Sequence, residues 1–277
     1  MPFEEVAQQS SIQGSLGRAT VKILGAAGLR LTGFGSFHLD EGPNFAWLNI
    51  YRTLADCREL EITRERAPLS FTIEDGDAVV RWAPCDAVEG ELAARYRIVE
   101  EESAVDITFE AQMNVAYSNF ELFIANYFTP YYFPRYAVSD NRTHPEGIFW
   151  YEKKWLGEDE NESWARDDEA EKILKDGRWL TGHALNWRRG PHYALPLMIQ
   201  EHRYGHAIIL MARNEDCFGI SGYNSYHNSQ YFHLLGRDAI AGQQISTTVR
   251  MVVLFEWEDL QKEAVELYEE WKDREME

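Results

Sequence analysis

The sequence predicts an all-β protein, a large antiparallel β-sandwich followed by one C-terminal helix. Three observations carry that expectation. Residues 92–99 and 105–111 alternate apolar and polar side chains with the period of two that lines up one face of a strand. Residues 244–255 (QISTTVRMVVLF) repeat the pattern near the end of the chain. Only residues 259–276 carry a clear helical period: Leu260, Ala264, Leu267, Tyr268 and Trp271 recur at spacings near 3.6 behind Asp259, an N-cap residue. No linker and no fixed repeat divides the 277 residues, so a single domain is expected.

Taken in order, residues 1–15 read as an arm. Residues 19–24 (ATVKIL) start the first strand, and Gly25, Gly28, Gly33 and Gly35 follow. They match neither GxGxxG nor GxxxxGK[ST], so they mark bulges or close strand crossings rather than a phosphate loop. Residues 44–62 admit a helix or a strand pair, and their Leu, Ala and Glu content favours helix. Residues 70–82 predict a hairpin around Asp75–Gly76. The 92–111 hairpin puts Leu92, Ala94, Tyr96, Val105 and Ile107 on one face and Arg95, Arg97, Asp106 and Glu110 on the other. That is the pattern of a half-solvated antiparallel sheet.

Residues 120–136 (FELFIANYFTPYYFPRY) start as a buried strand and end in a Pro-broken aromatic loop, a common cleft-lining element. Between residues 158 and 171 stand eight acids against one base, Arg166. This predicts that 152–177 is a solvated acidic insertion with a short helix over 169–174. Residues 196–199 and 207–213 flank EHRYGH as two strands with Gly205 in the turn, and 217–222 begin another.

Composition excludes several classes. The 27 basic and 46 acidic residues give a net charge of −19, which disfavours nucleic acid and anionic membrane surfaces as partners. No run of about 20 apolar residues exists to span a bilayer. The opening MPFEEVAQQSSIQGS lacks the apolar block of a secretory signal. The three cysteines include no CxxC and suggest neither a zinc ribbon nor a redox pair, so a reduced cytoplasmic protein is expected.

The densest group of titratable residues runs from 183 to 233 and holds six of the eight histidines. Histidine moves protons near neutral pH, which makes His192 and His227 the candidate acid and base, with Glu201 as orienting group or alternative base. His202 and His206, four apart, are the alternative ligands for a divalent metal, although HExxH is absent; no other cofactor is expected. Gly219-Ile220-Ser221-Gly222 lacks the GxSxG of a nucleophile elbow.

Three segments combine aromatic rings with amide, imidazole and guanidinium groups: 126–135, 186–193 (NWRRGPHY) and 223–233. Such mixtures suit a ligand that presents hydroxyls and apolar C–H faces together. The binding candidates are Asn126, Tyr127, Arg135, Trp187, Arg188, Arg203, Tyr223, Asn228 and Gln230. Tyr127, Trp187 and Tyr223 would stack. Arg188 and Arg203 would hold a carboxylate or polarised hydroxyls, because a guanidinium fork fits such oxygens. The competing reading is that these groups satisfy loop backbone and that most aromatics are core.

The layout resembles the galactose mutarotase-like superfamily. The resemblance lies in the charged-face hairpins at 70–112, the FELFIANYFTPYY segment, the strands at 196–222, and HLLGRDAIAGQQISTTVRMVV with AGQ before a long strand. It implies a β-supersandwich and a small-molecule carbohydrate ligand. The histidine-acid and glutamate-base settings of aldose 1-epimerases are not matched, so no catalytic residue is carried over. The function expected is a carbohydrate-active protein catalysing proton transfer: epimerisation, isomerisation or elimination. A non-catalytic sugar-binding or accessory subunit and a β-sandwich interaction module are the alternatives, and homo-oligomerisation stays open.

Overall fold

A computed structural model describes residues 3–6, 11–32, 46–140, 144–152, 160–179, 188–224 and 227–274. β1 (Glu4–Val6), β2 (Ser11–Leu16), β3 (Ala19–Ile23) and β4 (Leu29–Thr32) form a four-stranded antiparallel meander. β2 falls largely within the residues expected as an arm. It is held as a strand because Ile12 and Leu16 are buried in one cluster with Val21, Ile23, Leu29 and Leu31. Between β3 and β4, Gly28 sits at φ 91°, and a Cβ there would lie 2.5 Å from the Trp47 carbonyl oxygen. This is a close crossing that only glycine permits.

β5 (Asn49–Ala55) and β6 (Arg58–Glu61) are a hairpin where composition favoured a helix. Asp56 and Cys57 take φ of 51° and 58°, the two positive values of a type I′ turn. Sheet pairing on both sides of β5 then outweighs a helix preference of only tenths of a kcal/mol per residue, ~0–0.7. β7 (Ser70–Glu74) and β8 (Asp77–Trp82) turn at Asp75 and Gly76, as expected, and β9 (Gly90–Val99) and β10 (Ala104–Met113) form the next hairpin.

β11 (Tyr117–Phe128) and β12 (Tyr132–Asp140) follow. The expected aromatic loop shrinks to residues 129–131. Pro134 stands inside β12, paired with Gln200 but beyond the ladder to β13 (His144–Glu152), which starts at Arg135. Its missing N–H is thus accommodated at the margin of pairing. β14 (Glu160–Ala165) lies in the stretch expected as a solvated insertion, yet it pairs along its length with a later strand and buries Ser163 and Trp164. α1 (Asp168–Leu174) is the short helix expected there, with the Asp167 side chain accepting from the Ala170 N–H at 2.8 Å.

β15 (Arg188–Arg189), β16 (Tyr193–His202), β17 (His206–Ala212), β18 (Cys217–Asn224), β19 (Asn228–Ala239), β20 (Gln244–Leu254) and α2 (Leu260–Lys272) complete the chain. A nine-stranded sheet runs β13-β12-β16-β17-β20-β10-β9-β8-β7, and a seven-stranded sheet runs β15-β14-β18-β19-β11-β5-β6. Pairing within both is antiparallel apart from β14 with β15. The sheets share one apolar core, with Tyr96, Phe109 and Met251 from the first and Leu122, Ile124, Phe232 and Leu234 from the second. α2 lays Leu260, Ala264, Tyr268 and Trp271 on Leu197, Ile209, Met211 and Val252. Part of the nine-stranded sheet is therefore covered on both faces, which explains the unbroken apolar runs of β17 and late β20. No helix among the described residues is long and apolar enough to cross a membrane.

Candidate functional site

The seven-stranded sheet has the unusual outer face. β11 and β19 pair with Phe123 opposite His233, Ala125 opposite Tyr231 and Tyr127 opposite Ser229. The two-residue period sends Glu121, Phe123 and Tyr127 outward with Tyr231 and His233, while Leu122, Ile124, Phe232 and Leu234 enter the shared core. Phe123 and Tyr231 stack at 4.9 Å between ring centroids, and Tyr127 meets Tyr231 edge-on at 6.2 Å. Tyr51 of β5 closes on Tyr127 at 6.0 Å, and Trp179, beyond α1, closes on Phe123 at 5.1 Å.

His227 stands at the end of this aromatic floor. Its ring is 5.1 Å from Tyr127 and 5.4 Å from Tyr223, and Nδ1 is 2.7 Å from the Ser229 hydroxyl oxygen. Burial, aided by the Arg64 charge, pushes the imidazole down to about 4, so the ring is neutral at neutral pH. Burial, then Tyr231 and Tyr51, raise the Tyr127 phenol well above its ordinary value, and burial raises Tyr231 likewise. Both phenols stay protonated and can donate. Arg64 reaches the same place from the 3-10 turn Thr63–Glu65, lying 4.3 Å over the Tyr51 ring and 5.2 Å from that of Tyr127. Thr63 anchors that turn: it is fully buried, 3.3 Å from Thr53 between hydroxyl oxygens.

Next to the floor lies a closed polar network. Glu121 Oε1 is 2.6 Å from His233 Nδ1, and His233 Nε2 is 2.8 Å from the Ser221 hydroxyl oxygen. Arg178 donates to the other Glu121 oxygen at 2.6 Å, and also to Asp176 and the Asn119 carbonyl. Burial would raise the Glu121 carboxyl, but His233 and Arg178 outweigh it and hold it below its ordinary value. The Ser221–His233–Glu121 connectivity is that of a nucleophile, base and acid. Yet all three side chains have 0% exposure, and Phe123, Phe218 and Trp179 surround the imidazole. No substrate carbonyl reaches that serine. The network fastens residues 176–179 to the sheet.

The residues singled out in the sequence scatter. Tyr127, Tyr223 and His227 come together on the aromatic floor. Asn126, Asn228 and Gln230 lie between the sheets, bonded to backbone: Asn126 to Gln230 O and Leu48 N, Asn228 to Tyr132 O, Gln230 to Arg135 O and Ile199 O. Glu201 is on the nine-stranded sheet, where Arg135 bonds it at 2.6 Å and Glu152 at 2.9 Å. His192 precedes β16, 3.3 Å from Asp168. Arg203 stacks on Tyr131 and Tyr204 at a hairpin tip. Arg188 contributes backbone to β15, and Trp187 lies outside the described residues. The sequence reading missed Tyr51, Arg64 and Phe123, and held Tyr231 only as a member of the 223–233 segment. The alternation of 121–127 and 229–233 was the signal that would have joined Phe123 to Tyr231.

His202 and His206 stack nearly parallel, 4.5 Å apart at 15°, so their ring nitrogens lie in two parallel planes rather than converging on one ion. Tyr132 bonds His206 at 2.9 Å, and the Tyr204 N–H donates to His202 at 3.3 Å. Burial, then Arg203, pushes His202 down to about 4; burial, then His202, pushes His206 down to about 3. Asp168, Glu171 and His192 are the one group of three metal-type donors within 4.8 Å of one another among the described residues. Asp168 is exposed and Glu171 is paired with Lys175, as on any solvated first turn of a helix.

No family model and no curated protein sequence matches the chain. Solved structures do match in shape. The Slr1438 protein from Synechocystis sp. PCC 6803 superposes with a TM-score of 0.51 at 9% identity, over 92% of this chain and 96% of that one. A protein from Escherichia coli K12, provisionally assigned as an aldose 1-epimerase, gives 0.54 at 9% identity over 88% and 98%. The α-N-acetylgalactosaminidase NagBb from Bifidobacterium bifidum gives 0.52 at 12% identity; 98% of this chain covers only 38% of that enzyme. At these identities what is shared is the fold, a galactose mutarotase-like β-supersandwich.

Proposed function

We propose that the outer face of the seven-stranded sheet binds a carbohydrate and that His227 transfers a proton there. The observation that carries the reading is a neutral imidazole flanked by Tyr127 and by the part-exposed Tyr223, beyond the buried Phe123–Tyr231 stack. Rings accept the apolar C–H face of a sugar, and phenols that stay protonated donate to its hydroxyls. A neutral imidazole can take a proton from a hydroxyl or an acidified C–H, the step that epimerisation, isomerisation and elimination share. The shared fold supports the ligand class, since proteins named for aldose 1-epimerase and α-N-acetylgalactosaminidase activity have it.

A second reading is binding without chemistry. It is favoured by the dispersal of Glu201 and His192, the candidate partners in proton transfer, away from His227. Anomer exchange and product formation followed by NMR separate the two. Catalysis predicts that His227→Gln lowers turnover by about 10²–10⁴ with the fold intact. Unchanged turnover removes His227 from the mechanism, and saturable binding with no exchange or product establishes the second reading.

A further inference from the structure

Arginine pairing around β6 is uneven. Arg52 pairs with Glu59, and Arg66 pairs with Glu61 at 3.0 Å while donating to the Ala83 carbonyl. Glu59 and Glu61 are thus taken, and Glu65, next to Arg64 in the chain, is exposed and forms no ion pair with it. Arg64, half-buried, has no hydrogen-bond or ion-pair partner among the described residues; its guanidinium is held by the Tyr51 and Tyr127 rings alone. Stacking uses the face of a guanidinium and leaves its in-plane N–H donors for a ligand. Arg203 also lacks a carboxylate, but it bonds Tyr204 at 2.6 Å on an exposed hairpin tip.

In a chain with 46 acids and 27 bases, a partly desolvated arginine left without a carboxylate is unexpected. It also sits where the proposed ligand would lie, since it reaches both the Tyr127 ring and the field at His227. We infer that the carbohydrate of this face carries an oxyanion, a carboxylate or a phosphate, and that Arg64 binds it. The inference rests on the carbohydrate reading above and names the substrate class. An oxyanion accepts two parallel N–H bonds from one guanidinium, which sets the orientation of the sugar as well as its affinity. It also overcomes the repulsion that a protein of charge −19 exerts on an anion.

The test is calorimetric titration of the full chain with galactose, galacturonate and galactose 6-phosphate. It is repeated with Arg64→Met, which keeps an apolar stem on Tyr51, with Arg64→Gln, and with the exposed control Arg58→Met. Retained near-ultraviolet circular dichroism certifies each fold. The expected result is that one or both anions bind about tenfold to a hundredfold tighter than galactose. That preference disappears in both Arg64 variants and survives in Arg58→Met. Which anion shows it separates carboxylate from phosphate. Equal affinities for all three sugars, or a preference that survives both Arg64 variants, overturns the inference and leaves carbohydrate binding standing. Absence of binding by all three removes both.

Discussion

The outer faces of the two sheets are built to different rules. On the nine-stranded sheet, charges stand in matched pairs, one of which, Arg250 with Asp106, is buried beside Trp271 of α2. Arg81 and Arg95 pair with Glu74, Arg95 and Arg97 with Asp77, Arg250 with Asp106 and Glu102, and Arg135 with Glu152 and Glu201. On the seven-stranded sheet, matched charges are Arg178 with Glu121 and Arg52 with Glu59, and beside them rings are packed together, a histidine is kept neutral, and Arg64 rests on tyrosines. Matched charges have their partners already and need only water. A cation held on rings beside a dry imidazole still has donors to give. The difference separates a scaffold face from a face suited to a ligand, and each prediction below strains it.

The largest expected effect is at the clamp below the aromatic floor. Arg178→Met leaves the fully buried Glu121 carboxylate without its guanidinium partner and frees residues 176–179. The expected cost is about 3–5 kcal/mol, the usual penalty for breaking a buried pair from one side, read from urea unfolding. A loss below about 1 kcal/mol would mean that the strap is not fastened in solution, and Ser221 would become reachable after all.

A smaller, pH-dependent effect comes from the histidines. His202, His206 and His227 all have folded values well below the ordinary 6.5, at about 4, 3 and 4. The unfolded chain takes up protons on them near pH 6.5, while the folded chain refuses them until pH 4 to 3. Stability therefore falls as pH drops through that window and levels off below it. Urea midpoints between pH 7 and 4 should fall, and His202→Gln should flatten part of the slope. An unchanged slope in that variant would show that folding leaves the proton affinity of His202 unchanged.

The sheet framework was legible where the period was clean and the turn chemistry local. The Asp75–Gly76 turn, the 92–111 hairpin, the last strand and the capped helix α2 all stand as the pattern required. It failed where tertiary pairing decides. β5 and β6 carry helix-forming residues, but β11 claims β5 and β5 claims β6, and β14 lies in an acidic run yet is claimed by β18. The site was legible residue by residue but not face by face. Asn126 and Tyr127 are adjacent in the sequence and look equally suited to a ligand, but on a strand they must point to opposite sides. Reading the odd positions 121–127 with 229–233 would have joined Phe123, Tyr127, Tyr231 and His233. Arg64 had no such signal, because its place depends on a turn that the sequence alone did not locate.

The smallest expected effect belongs to the scaffold face. Arg97 contacts Asp77 at 3.4 Å, with nearly half of its side chain exposed (46%). Arg97 stands half in water and loses side-chain freedom on pairing, and the buried Asp77 has a second arginine, so Arg97→Ala should cost only about 0.2–1 kcal/mol. Added salt should shrink even that, because solvent-facing charges are screened over about 10 Å at 0.1 M. Asp77 keeps Arg95 in the variant, which prevents a stranded carboxylate. Sugar affinity should not move at all. A cost above about 2 kcal/mol, or a change in sugar affinity, would show that the charge ladder is coupled to the aromatic face through the shared core. The contrast between the two faces would then no longer support the proposed ligand face.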